Sequence, residues 1–254
     1  MPPSRTTSLI TGATAGIGHE YAVQLAARGD DLVLVARDAT RLEQVAEELR
    51  RAHQVEVEVI AADLVVRKDL ARVEARLADR ERLIDLLVNN AGFGLKKRFL
   101  DNTVEEETEM LEVLVTAVLR LSHAALGPMA ERGHGGIINV SSVAAFLPRG
   151  TYSAAKAWVN SFSEWAHLEY KGRGVTVMAL CPGFTKTEFH QRMQVQRGDG
   201  FLWLDADFLV RKSLQDFAKG RTYSIPGAQY KTIIALTKAI PNRALRLTQS
   251  VGRR

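Results

Sequence analysis

Short runs rich in Val, Ile and Leu alternate along this chain with longer stretches whose apolar residues recur at helical spacing, and this alternation limits the fold more than any other feature. The runs cover 8–11, 31–36, 56–61, 83–89, 136–141 and 175–181, with a weaker one at 222–225. Between them, Ile17, Tyr21 and Leu25 form one stripe, Leu42, Val45, Ala46 and Leu49 a second, and Leu70, Val73 and Leu77 a third. Strands alternating with helices predict βαβ units around a parallel sheet. A run such as Leu32-Val33-Leu34-Val35-Ala36 has the pattern of a strand covered on both faces. Right-handed crossovers then give an α/β fold, a doubly wound parallel sheet of about seven strands with helices on both faces. Apolar residues make up 46% of the 254, enough for one such domain spanning 1–254 to bury a large core.

No repeat, linker or low-complexity stretch interrupts the pattern. Residues 185–204 lack a strong period and carry Phe189, Met193, Phe201 and Trp203. The segment 184–204 is expected to be a variable substrate lid. Helical patterning resumes after Leu204 with Asp205 as the candidate N-cap.

Charge is unevenly placed. The net charge is +5, yet no carboxylate follows Asp216, while eight cations lie between Lys219 and Arg254, so the first 216 residues sum to −3. The basic tail, 226–254, could make peripheral contact with anionic lipid. The plainer reading, which we prefer, is a solvated surface helix. The single cysteine, Cys181, excludes an internal disulfide framework and suits a reducing compartment. The first ten residues lack the apolar centre of a signal peptide, and no uninterrupted run approaches the ~20 apolar residues of a membrane span. A cytoplasmic location is expected. The six histidines have no metal-like spacing, so no metal site is expected, and the three tryptophans are not interleaved with basic residues, so no nucleic acid is.

The first strand runs into Thr11-Gly12-Ala13-Thr14-Ala15-Gly16-Ile17-Gly18, and a helical pattern follows at once. Glycines 12, 16 and 18 let backbone approach a pyrophosphate, which the helix N-terminus then faces. The position after a first strand and before a first helix supports reading Gly12, Thr14, Ala15, Gly16, Ile17 and Gly18 as a dinucleotide loop. The end of the second run decides which dinucleotide. A carboxylate there suits the ribose of NAD, and an arginine suits the 2′-phosphate of NADP. The chain reads Ala36-Arg37-Asp38 with Arg41 one turn on, which favours NADP(H). Further along, Tyr152 and Lys156 stand four residues apart, so a helix would place phenol and ammonium on one face.

The ordered set of Thr11-Gly12-x-x-x-Gly16-x-Gly18, Asp63-Leu64, Asn89-Asn90-Ala91-Gly92, Tyr152-x-x-x-Lys156 and Pro182-Gly183-Phe184-Thr185-Lys186-Thr187 resembles the short-chain dehydrogenase/reductase family over about residues 6–190. The resemblance implies a Rossmann-type fold. It also implies cofactor contacts from Asp63, Leu64, Asn90, Ala91, Gly92, Pro182, Gly183, Thr185 and Thr187, and from Tyr152 and Lys156 themselves. Tyr152 would be the acid/base, with a nearby cation lowering a phenol pKa that is ordinarily about 10. Lys156 would be that cation, and Ser142 would hold the carbonyl oxygen, with Ser141 the alternative. The resemblance further implies a homodimer or homotetramer, paired through helices near 104–132 and 152–170.

Two departures from the family stand out. The connection 143–151 is shorter than usual. Leu114 occupies the place of an asparagine that, in the family, kinks its helix and holds a water linking the lysine to solvent. Glu105-Glu106-Glu107 reads as structural charge near a helix start, and Lys96-Lys97-Arg98 as a solvated loop near the pocket mouth. Phe93, Leu95, Phe146, Leu147, Phe184, Phe189 and Met193 are expected to line a lipophilic pocket. The reading is an NADP(H)-dependent oxidoreductase acting on a small-molecule carbonyl or secondary alcohol, a lipophilic ketone or 3-oxoacyl-type substrate. The alternative is a non-catalytic NADP-binding regulator or scaffold that keeps the fold.

Overall fold

The computed structural model describes residues 5–187 and 200–239. Within them the strands are β1 (Thr7–Thr11), β2 (Asp31–Ala36), β3 (Val57–Ala61), β4 (Leu86–Asn89), β5 (Gly135–Val140), β6 (Val175–Leu180) and β7 (Tyr223–Ser224). They form one sheet in the order β3-β2-β1-β4-β5-β6-β7, every pair parallel. The helices are α1 (Gly16–Ala26), α2 (Ala39–His53), α3 (Arg67–Ala78), α4 (Val104–Leu111), α5 (Ala117–Arg132), α6 (Thr151–Tyr170), α7 (Ala206–Ala218) and α8 (Ala228–Ala239).

Strand alternation sorts the core into two layers. Ile10, Leu32 and Leu34 meet the stripes of α1 and α2 and Leu209, Val210 and Leu214 of α7. Leu9, Val33 and Val35 meet the stripes of α3 and α5. All seven expected strands are present. The fourth begins three residues later than expected, because the Asp79 carboxylate accepts from the amides of Glu81 (2.9 Å) and Arg82 (3.0 Å) and turns the chain there. The two-residue β7 is held from outside the sheet. Buried Asp216 accepts from Ser224 Oγ (2.9 Å), Lys212 Nζ (2.8 Å) and the Arg221 guanidinium (3.0 Å).

Between α4 and α5 lies one π turn, Glu112–Thr116, with Leu114 fully buried inside it. The kink that the family resemblance assigned to an asparagine therefore forms around a leucine, because a π turn needs only the backbone shift. The helix continues through the turn, so Val104–Arg132 runs for 29 residues and is, among the described residues, the one helix long and apolar enough to cross a bilayer. In this fold its stripe of Ala117, Leu121, Ala125 and Met129 packs on the sheet instead.

Candidate active site

Strand order reverses between β1 and β4, the two strands that feed the glycine loop and the Asn90-Ala91-Gly92 segment. Ligands of doubly wound sheets bind outside the strand ends at such a point. The two segments interlock here. Asn90 Nδ2 donates to Thr11 O (2.9 Å) and Gly12 O (3.2 Å), while the amides of Asn90 and Ala91 both donate to Thr11 Oγ1 at 3.0 Å. Gly12 lies at φ +68°, and a Cβ there would sit 2.9 Å from Asn90 Nδ2. Gly16, at φ +57°, faces Thr187, whose Cβ would stand 3.0 Å from an added Cβ. This brings the loop after β6 onto the glycine loop. Ala15 precedes α1 with no side-chain cap, and no acidic residue occupies the helix's first turn, so its positive end carries no carboxylate of its own. A cradle that any side chain would fill, ending at a helix N-terminus, fits a pyrophosphate.

At the end of β2, the Arg37 guanidinium is largely exposed and lies 4.0 Å from Asp63 Oδ2. Asp38 is not positioned as a ribose ligand: its carboxylate accepts from Arg41 N at 3.0 Å and caps α2. Leu64 is buried in the α3 layer. Thr185 is buried and its hydroxyl donates to Gly183 O at 3.1 Å, which shapes the loop after β6.

The first two turns of α6 carry Tyr152 and Lys156 beside Ser142, which follows β5. Ser142 Oγ accepts from Ala144 N at 3.1 Å and hydrogen-bonds Tyr152. Ser141 Oγ instead donates to Lys156 O at 2.9 Å and is buried, so of the two serines it is Ser142 that stands beside the Tyr152 phenol. Lys156 Nζ donates to Val140 O at 2.7 Å and stands 5.8 Å from the centre of the Tyr152 ring. Burial pushes the lysine down to about 8, opposed by the Cys181 thiol. The expectation of a lowered phenol does not hold in this state. Burial pushes Tyr152 up to about 12, and only the Ser142 hydrogen bond pulls it back. The ammonium is held by the Val140 carbonyl, and burial is the largest influence on the phenol.

Around this cluster, Phe93, Leu95 and Tyr152 pack against Met110, Leu114 and Ala155. Phe146 and Leu147 do not join this wall. They line a cleft of about 500 Å³ with Arg149, Ser153, Ala154 and Ala157, on a different face of α6 from Lys156. Phe184 stacks on Trp203, ring centres 5.3 Å apart. Phe189 and Met193 lie outside the described residues, as does the basic tail beyond 239. The role of the Val140 carbonyl was not legible in the sequence, since a backbone acceptor has no signature. Nor was the buried Asn89–Asn139 pair, Nδ2 to Oδ1 at 2.9 Å, beneath the site.

The family model for short chain dehydrogenases matches residues 6–198. A very-long-chain 3-oxoacyl-CoA reductase of Anas platyrhynchos is 37% identical over 189 residues, which is 71% of this chain and 60% of that protein. The chain thus spans about 60% of the length of such curated relatives. Among solved structures, a short-chain dehydrogenase from Sphingobium yanoikuyae in complex with NADPH is 36% identical at a TM-score of 0.85, covering 92% of this chain and 94% of that one. The bulky-bulky ketone specific alcohol dehydrogenase of Comamonas testosteroni is 34% identical at a TM-score of 0.81, covering 92% of each chain. With the glycine cradle at the sheet's switch point and Ser142, Tyr152 and Lys156 gathered beside it, the chain belongs to the short-chain dehydrogenase family.

Proposed function

We propose that the chain is an NADP(H)-dependent oxidoreductase that reduces a lipophilic ketone or a 3-oxoacyl-type thioester to the secondary alcohol. The observation that carries this reading is the convergence of Ser142 and Lys156 on Tyr152 next to the Gly12–Asn90 cradle. Arg37, with Ala36 in place of a carboxylate, supports NADP over NAD. The relative solved with NADPH supports the same choice. Bound NADPH would supply the hydride. The Tyr152 phenol, protonated near neutral pH, would donate its proton to the carbonyl oxygen as the hydride arrives. The Ser142 hydroxyl would hold that oxygen, and Lys156 would stabilise the phenolate left behind. Phe93 and Leu95 supply an apolar wall beside Tyr152. Similarity to a very-long-chain 3-oxoacyl-CoA reductase and to a bulky-bulky ketone specific alcohol dehydrogenase supports the same substrate class.

A homo-oligomer is part of this proposal. On α6, Trp158 stacks on Phe162 (5.0 Å), which contacts Trp165 (5.8 Å), and Trp165 and Leu168 are 52% and 74% exposed. Leu119 of α5 is 44% exposed. An apolar face of this kind suits burial against a second copy.

The test is NADPH oxidation against a panel of lipophilic ketones and 3-oxoacyl thioesters, with Tyr152→Phe in parallel. Turnover that disappears in the variant supports the reading. NADPH binding without turnover on the whole panel would favour the non-catalytic alternative.

A further inference from the structure

Glu107 is a buried carboxylate that the chemistry above leaves unused. It is 6% exposed, and both of its oxygens are taken by neutral donors: Asn102 Nδ2 at 2.7 Å and Thr151 Oγ1 at 2.6 Å. Removing a carboxylate from water without a cation beside it is costly, so its surroundings must supply compensation. Thr151 is the first residue of α6, and Tyr152 is the second. The residue before the helix, Gly150, sits at φ +104° and offers no capping side chain. The positive end of a 20-residue helix is therefore served by a carboxylate from α4, delivered through the Thr151 hydroxyl. Through Asn102, the same carboxylate holds the segment that leads from β4 into α4.

We propose that Glu107 is a positioning residue for the reaction. Its bond to Thr151 fixes how α6 enters the site, and thereby where the Tyr152 phenol stands relative to Ser142. It fastens the β4–α4 segment to that helix, so the substrate wall and the proton donor are held as one unit. This inference rests on the proposed reduction, but the geometry of the latch does not. Its signature is a loss in the chemical step at unchanged cofactor affinity, because a small misplacement of a reacting group costs rate and not binding.

The experiment compares Thr151→Val, which removes one hydroxyl at nearly constant volume, with Thr151→Ser, which keeps it. Three quantities are measured: kcat with the isotope effect from 4-deuterated NADPH, NADPH affinity by fluorescence, and hydrogen exchange of residues 151–156 in the cofactor-free protein. For Thr151→Val the expected results are a kcat loss of about tenfold, a larger isotope effect, unchanged NADPH affinity and faster exchange in the first turn of α6. Thr151→Ser stays near wild type. A second variant, Glu107→Leu, removes the acceptor of the same bond and should add little to the faster exchange of residues 151–156 in Thr151→Val. Unchanged kcat and isotope effect in Thr151→Val would overturn the proposal, as would equal losses in the Ser and Val variants. If the wild type reduces no ketone at all, the proposed reaction fails, and the latch is judged on exchange alone: unchanged exchange in Thr151→Val overturns it, and faster exchange supports it.

Discussion

Gly18 and Asn90 compete for the same space: a Cβ on Gly18 would stand 2.3 Å from Asn90 Nδ2 and 2.3 Å from Gly12 O. The amide that fills this space is the one that clamps the glycine loop, through Thr11 O and Gly12 O. Gly18→Ala therefore has to displace a backbone carbonyl or break the clamp. A stability loss of about 1–3 kcal/mol is expected, as for other overpacked sites, together with weaker NADPH binding. Thermal unfolding and a fluorescence titration check this, and wild-type values in both would refute it.

Lys156 is stabilising for chemistry and costly for folding. Its pKa of about 8 in the folded chain lies below the ordinary 10.5, so between those values the unfolded chain binds the extra proton. Stability from this group alone therefore rises with pH across the window from about 8 to 10.5, and the burial cost is fully present below 8. Lys156→Met should abolish turnover yet raise the melting temperature at pH 7, with the advantage shrinking toward pH 10. A variant less stable than wild type at pH 7 would contradict this ordering.

Leu114 sits in an apolar cluster with Met110 and Ala155, and a Cβ on Gly92 would come 2.8 Å from its Cδ2. An amide placed there lacks partners among these neighbours. Leu114→Asn is expected to cost about 1–3 kcal/mol. Because Lys156 already has an acceptor in Val140 O at 2.7 Å, turnover should stay near wild type. A marked rise in kcat would mean that the missing asparagine limits proton exchange after all.

The exposed Trp165 and Leu168 on α6 should be covered in the assembled protein. Trp165→Glu with Leu168→Glu is expected to convert a dimer or tetramer to monomer in light scattering, because two charges cannot be buried unpaired. A wild-type protein that is already monomeric at micromolar concentration would refute the pairing.

The sequence carried the fold almost completely, for reasons visible at particular residues. Doubly covered strands such as Leu32–Ala36 must be apolar throughout, and helices packed on one face must repeat at Leu42, Val45 and Leu49, so the period of each element is written in its residues. The glycine loop was legible for the same kind of reason: Gly12 and Gly16 take positive φ where few other residues can. Arg37, Tyr152 and Lys156 were found because their types and spacing match a recognisable order. Tertiary structure decided the rest, through contacts between segments distant in the chain. It chose Ser142 over Ser141 by giving one hydroxyl to Tyr152 and the other to the backbone of α6. It turned Lys156 to Val140 O, and it buried the phenol that the lysine was expected to lower, which raises it instead. It packed Leu64 into the α3 layer, and it joined Glu107 to Thr151 across 44 residues of sequence. Periodicity and residue type are local properties that one segment reveals. Burial and the choice of hydrogen-bond partner depend on which other segments arrive, and only the folded chain sets those.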